Sequence, residues 1–208
     1  MWASGHNVNG YTITKALGQG VSSTVYLTSK DNINYALKAI PLNKPWKVQD
    51  YQREIRSLNK CKDCPFVVRY IESFEYKNFG IQIQEFMLGD LLDYSNARDL
   101  TLQQKRIIFM QICLGVQFLH SHQMAHLDLK PENIFLNDVN SVKLGDLGSC
   151  NKLNEFDHVG IVGTNFYIAP EIVIFFVNFS LNNNQLIYLF FSIPKKMVMI
   201  CIKQIYGV

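Results

Sequence analysis

His126-Leu127-Asp128-Leu129-Lys130-Pro131-Glu132-Asn133 gathers an aspartate, a lysine and an asparagine within one short stretch. An Asp can accept a hydroxyl proton, a Lys can neutralise a phosphoryl group in transfer, and an Asn can offer a carbonyl oxygen to a metal. The stretch follows an apolar helical pattern and precedes the apolar run Ile-Phe-Leu at 134–136, so it reads as a loop from helix to strand. Eighteen residues after Asp128 comes Gly145-Asp146-Leu147-Gly148, a second Asp in a glycine-flanked turn. Asn133 and Asp146 form an oxygen donor pair that suits Mg2+, a hard cation that keeps waters and binds through phosphates.

Upstream of this loop, Thr101 followed by Gln104 marks a capping box. The helix it opens carries Ile108, Ile112, Val116 and Leu119 as an apolar stripe. Further upstream, residues 11–17, 24–28 and 35–40 read as strands, the last closed by Pro41. A polar loop reaches Trp46. Beyond it Tyr51, Ile55 and Leu58 recur at helical spacing, with Glu54 beside Ile55, and Pro65 ends that region. Residues 66–74 and 79–86 read as a strand pair joined by Glu75-Tyr76-Lys77-Asn78. Downstream, 134–136 and 142–144 are short strands. Strands come first and helices later, which predicts an α+β layout with no internal repeat.

Two further features bear on chemistry. Gly18-Gln19-Gly20 lies between two strands, where it is either a tight hairpin or a loop whose N–H groups approach phosphates. Ser23 stands where a third glycine would complete such a loop. Lys38 closes an apolar strand and needs a counter-ion if buried; Glu54 on the next helix is the candidate, and an exposed Lys with a solvated Glu is the alternative.

Glycine loop, strand lysine, helix glutamate, catalytic loop, metal turn and Ala169-Pro170-Glu171 occur here in the order found in protein kinases, with Gly163-Thr164 before the last. The resemblance covers residues 11–171 and implies a two-lobed fold: a small antiparallel sheet lobe and an incomplete helical lobe, with ATP between them. It implies that Lys38 holds the α- and β-phosphates and is oriented by Glu54. Asp128 would take the acceptor proton, Lys130 would stabilise γ-phosphoryl charge, and Asn133 and Asp146 would carry Mg2+. Gly18 and Gly20 would cover the phosphates. Backbone groups of Glu85 and Met87 would bond adenine, with Gln84 at the back of the pocket and Val25, Ala36 and Phe135 around the ring. Lys-Pro-Glu-Asn and Gly-Thr resemble the Ser/Thr rather than the Tyr kinases, which implies a protein substrate. The alternative is a catalytically impaired member that binds nucleotide or partners.

The sequence departs from the family at Leu127, where an arginine that pairs with an activation-loop phosphate is usual, and at Leu147, where phenylalanine is usual. The helix that follows Ala-Pro-Glu in the family, with the arginine that pairs with its Glu, has no counterpart. His-Leu-Asp, Asn133-Ile134-Phe135-Leu136, Lys143-Leu144-Gly145-Asp146 and Gln84 are similar to the Wee/Myt kinases, which implies a cyclin-dependent kinase as partner. Myosin-light-chain-type kinases also carry His-Leu-Asp.

The 208 residues are 48% apolar and 18% charged, globular rather than disordered usage. The net charge of +3 contains no Lys/Arg block, which gives no reason to expect nucleic acid. No apolar run reaches membrane-spanning length. The start has neither a basic nor an apolar leader, and five cysteines fit a reducing compartment, cytoplasmic or nuclear. Cys61-x-x-Cys64 lacks the second pair that a structural zinc site needs. Three segments are expected: an extension over 1–10, the kinase-like domain over 11–171, and an apolar tail over 172–208. The tail holds no Asp or Glu and is mostly Phe, Ile, Asn, Lys and Tyr. It reads as translated non-coding or shifted-frame sequence, or as divergent core.

Overall fold

The computed structural model describes residues 1–20 and 22–152. The expectations for Gly163-Thr164, for Ala169-Pro170-Glu171 and for 172–208 lie outside the described residues. The chain divides into two units, 1–88 and 89–208.

In the first unit, period-two alternation sets the architecture. β1 (Asn7–Val8), β2 (Tyr11–Gln19), β3 (Thr24–Lys30), β4 (Ile33–Pro41), β5 (Tyr70–Tyr76) and β6 (Phe79–Glu85) form one antiparallel sheet, ordered β1-β2-β3-β4-β6-β5. One face gathers Val8, Tyr11, Ile13, Tyr26, Leu37, Ala39, Ile81 and Ile83 into a buried cluster. Each large aliphatic side chain sealed there contributes roughly 1.5–3 kcal/mol. Residues 1–10 belong to this packing. Trp2 stacks on Tyr26 at 5.4 Å and on His6 at 5.6 Å, and meets the rings of Tyr76 and Phe79 edge-on. Its backbone N–H donates to the Tyr26 hydroxyl at 3.1 Å.

The hairpin between β3 and β4 turns on Asp31 and Asn32, both at positive φ (52° and 62°), the geometry of a two-residue primed turn. β5 and β6 turn as tightly, on Lys77 (φ 54°) and Asn78. Tyr76 therefore ends β5 instead of lying in the connection, and residues 66–69 precede the strand. α1 (Pro45–Lys60) follows β4 and starts earlier than expected, because Pro45 at its first position pre-sets the helical φ; Trp46 lies in its first turn. Its buried stripe is Tyr51, Glu54, Ser57 and Leu58, while Ile55 is only half-buried. Tyr51 fixes the approach of α1 to the sheet. Its hydroxyl donates to the carbonyls of Phe74 and Ile81, and its ring lies where a Cβ on Gly80 would stand, 2.7 Å away.

The second unit opens with β7 (Gly89–Asp90) and α2 (Leu91–Asn96), a short helix the sequence reading passed over; the Asp90 carboxylate accepts from Asp93 N–H at 2.9 Å as its cap. α3 (Leu102–Ser121) carries the expected capping box: Thr101 Oγ1 accepts from Gln104 N–H and Gln104 Oε1 from Thr101 N–H. Its buried residues are Ile108, Gln111, Ile112, Gly115 and Leu119; Val116 is half-buried. β8 (Met124–Ala125) pairs with β11 (Asn151–Lys152), while β9 (Ile134–Leu136) lies between β10 (Val142–Leu144) and β7. Among the described residues no helix is long and apolar enough to cross a membrane. The architecture is α+β, as the strand-then-helix order predicts.

Candidate active site

In the first unit the β3–β4–β6 register aligns the expected residues. Val25 pairs with Lys38, Lys38 with Gln82, Leu27 with Ala36, and Ala36 with Gln84. Directly paired residues share a face, so Val25, Ala36, Lys38 and Gln84 stand on one side of the sheet, opposite the aromatic cluster. Lys38 Nζ donates to Glu54 Oε1 at 2.7 Å, and both side chains are largely buried. Burial of this pair decides against the exposed alternative. Glu54 reaches Lys38 because the α1 stripe turns it inward beside Tyr51 and Leu58.

Gly18 pairs with Val25 at the end of β2, beyond a register shift between Ala16 and Gly18. Gly20 N–H donates to Ser23 C=O at 2.9 Å. Neither glycine has positive φ, and a Cβ at Gly18 would meet nothing within 4 Å. Backbone conformation and internal packing therefore do not demand glycine at 18, whereas close approach of a ligand would. Glu85 ends β6. Its N–H donates to Arg69 C=O at 2.9 Å and its carboxylate accepts from Arg69 N–H at 2.6 Å. That N–H is committed within the protein. Met87 is buried two residues on.

In the second unit the loop after β8 is bound around Asp128. Lys130 Nζ and Asn133 Nδ2 each lie 3.0 Å from Asp128 Oδ2, and Asn133 Nδ2 also donates to Asp128 C=O at 2.8 Å. These bonds turn the Asn133 amide so that its oxygen faces away from Asp128. Gly145 N–H donates to Asn133 C=O at 2.9 Å, which ties the loop to the turn that bears Asp146. Since Leu144 pairs with Ile134 in the β9–β10 hairpin, Asn133 and Asp146 emerge at the same end of it. Asp146 adopts a left-handed conformation, φ 50° and ψ 70°. An oriented amide oxygen and a carboxylate at one hairpin end fit a hard divalent cation. Among the described residues no cluster of three His, Cys, Asp or Glu could hold a metal. Phe135, at the middle of β9, is half-buried and points to the opposite face from buried Ile134 and Leu136.

His126, to which sequence alone assigns no role, is the buried pin of this loop. One ring nitrogen, Nε2, bonds Gly145 C=O at 2.9 Å, and Asp128 N–H approaches Nδ1 at 3.4 Å. Burial pushes the imidazole below its ordinary pKa, which keeps it neutral with one nitrogen donating and the other accepting. Leu127 sits at φ 64°, a strained conformation for a bulky side chain that the hydrogen bonds on either side impose. His122, by contrast, stacks on Phe118 at the end of α3 and bonds its carbonyl, a structural role.

Residues 11–185 match the model of the protein kinase domain. The chain is 32% identical over 178 residues to the serine/threonine-protein kinase pakH of Dictyostelium discoideum, covering 83% of this chain and 34% of that protein. It is 34% identical over 173 residues to the serine/threonine-protein kinase Nek3 of Mus musculus, covering 79% and 34%. It is 33% identical over 162 residues to the serine/threonine-protein kinase STE20 of Saccharomyces cerevisiae, covering 76% and 17%. The chain thus spans about a third or less of the length of these relatives.

Proposed function

The chain belongs to the protein kinase family, and from that membership we propose that it transfers the γ-phosphoryl group of ATP to Ser or Thr hydroxyls of a protein substrate. The observation that carries the reading is the loop geometry: Lys130 and Asn133 both bond the Asp128 carboxylate, and Gly145 ties that loop to Asp146. Asp128 orients the acceptor hydroxyl and takes its proton as oxygen bonds to the γ-phosphorus and the bond to the ADP oxygen breaks. Lys130, beside it, neutralises charge on the group in transfer. Lys38, braced by Glu54, holds the α- and β-phosphates. Asn133 and Asp146 hold Mg2+, which when bound neutralises charge on the phosphate oxygens. Gly18 and Gly20 admit the phosphates close to backbone, and Val25, Ala36, Phe135 and the chain at Glu85 and Met87 line the adenine.

Preference for Ser/Thr is supported by the relatives, which are serine/threonine-protein kinases, and by Lys130, two residues after Asp128. The likeness to Wee/Myt kinases, with a cyclin-dependent kinase as partner, rests on short motifs alone, and a cytoplasmic or nuclear place rests on cysteine usage. The test is transfer from γ-labelled ATP to a generic basic protein by the full chain, followed by phosphoamino-acid analysis. Label on Ser or Thr that disappears with Asp128→Asn is the expected result. Mg-ATP binding without any transfer would instead favour the non-catalytic module.

A further inference from the structure

Gln82 is fully buried in the middle of β6, and neither end of its amide has a hydrogen-bond partner among the described residues. An unpaired amide in a core is costly, and methionine would fill the same length of space without that cost. The register places Gln82 directly across from Lys38 on β4 and from Ser73 on β5. Gly80, two residues earlier and on the same face, lies under Tyr51 of α1. The sheet face under α1 is therefore polar where it meets the Lys38–Glu54 pair. Directly opposed side chains in an antiparallel pair have Cβ atoms about 5 Å apart, which a Gln amide and a Lys ammonium span by rotamer change with the backbone fixed.

We propose that Gln82 is a positioning residue for Lys38, its amide oxygen serving as a second acceptor for the ammonium on the β6 side, opposite Glu54 on α1. An ammonium has three hydrogens to donate, and Glu54 Oε1 takes one of them at 2.7 Å. With Gln82 as second acceptor, Lys38 is held by the sheet as well as by the helix. The proposal deepens the role given to Lys38 above and rests on it for its functional meaning.

The test reads Lys38 without nucleotide, so that failure of phosphoryl transfer and failure of this proposal are separate results. The full chain is treated with limiting amine-reactive ester, and the labelling of Lys38 relative to Lys143 is followed by peptide mass spectrometry. Only the neutral amine reacts, so an acceptor that favours the ammonium slows labelling. Gln82→Met is expected to raise the Lys38/Lys143 ratio by roughly threefold or more while the melting temperature stays level or rises. Gln82→Glu, which keeps an acceptor on a stem of equal length and adds charge, is expected to lower the ratio below that of the unaltered chain. An unchanged ratio in Gln82→Met with melting preserved would overturn the proposal. So would a raised ratio in Gln82→Glu, which carries the test alone if Gln82→Met does not fold.

Discussion

Asp128 Oδ2 accepts from two side chains at 3.0 Å. An asparagine in its place must either set an NH2 group against Lys130 and Asn133 or turn its oxygen to them, and in neither case can it take a proton. Asp128→Asn is therefore expected to cost ~10²–10⁴ in single-turnover phosphoryl transfer. Nucleotide binding, measured with a fluorescent analogue, should change by only a few-fold. Turnover equal to that of the unaltered chain would remove Asp128 from the role of base. At this scale the sequence was most legible where spacing is local: the Asp, Lys and Asn it singled out in one short stretch do meet around the Asp128 carboxylate. His126, Gln82 and the strain at Leu127 were not legible, because their roles depend on burial and φ. A buried amide and a surface amide are spelled alike, and only the β4–β6 register puts Gln82 against Lys38.

Apolar periodicity marks an element, and the polar side chains that hold elements together leave no such mark. Gln111 lies on the buried face of α3. Its Nε2 donates to Ile107 C=O at 3.2 Å and Val139 C=O at 2.8 Å, while its Oε1 accepts from Val142 N–H at 3.1 Å. It joins α3 to the turn end of the β9–β10 hairpin, opposite the end from which Asn133 and Asp146 emerge. Gln111→Leu keeps the bulk but leaves Val142 N–H and Val139 C=O without these partners. The expected cost is about 2–3 kcal/mol, read as a lower melting temperature; a loss below about 0.5 kcal/mol would show that the clamp contributes little. An apolar stripe includes Val116 and omits the buried Gln111 and Gly115 for the same reason, whereas the capping box at Thr101 and the runs 134–136 and 142–144 are local signals and lie where the sequence puts them. Asp90 tests electrostatics at a helix end. Desolvation raises its pKa, while the bond from Asp93 N–H opposes the shift. The folded chain therefore holds this proton to higher pH than the unfolded chain, so stability declines as pH rises through that range and is fully present in acid. Asp90→Asn keeps an acceptor for the cap and removes the charge. It is expected to match or exceed the stability of the unaltered chain at pH 7, with the difference vanishing below about pH 4. A clear loss at pH 7 would mean that the carboxylate itself is what α2 requires.

At the scale of the molecule, the order of strands and helices revealed the α+β class, since periodicity two and periodicity 3.6 separate cleanly along the chain. The boundary drawn at residue 10 did not carry the same information. Residues 1–10 lie before the stretch that resembles the kinases, and on that ground they read as an extension. Val8 is nonetheless fully buried, and Trp2 lies on Tyr26 with Tyr76 and Phe79 at its edges. Two turns made this possible. Asn9 and Gly10 reverse the chain at positive φ (52° and 91°), with Asn7 Oδ1 accepting from Gly10 N–H, so that β1 folds back onto β2. Gly5, also at positive φ, donates its N–H to Ile13 C=O and directs the chain back toward the sheet. The aromatic cluster on this face is thus closed by residues that the linear sequence places outside it. Val8→Ala should cost about 2 kcal/mol through lost transfer energy and the cavity left behind. Deletion of residues 1–9 should cost more, because Tyr26, Tyr76 and Phe79 would lose their cover together. Hydrogen exchange on the full chain is the sharper readout, with faster exchange expected at the amides of β2 and β3 around Ile13 and Tyr26. Unaltered protection there after the deletion would show that the sheet seals its aromatic face without the N-terminal segment, and that the boundary at residue 10 is physically real.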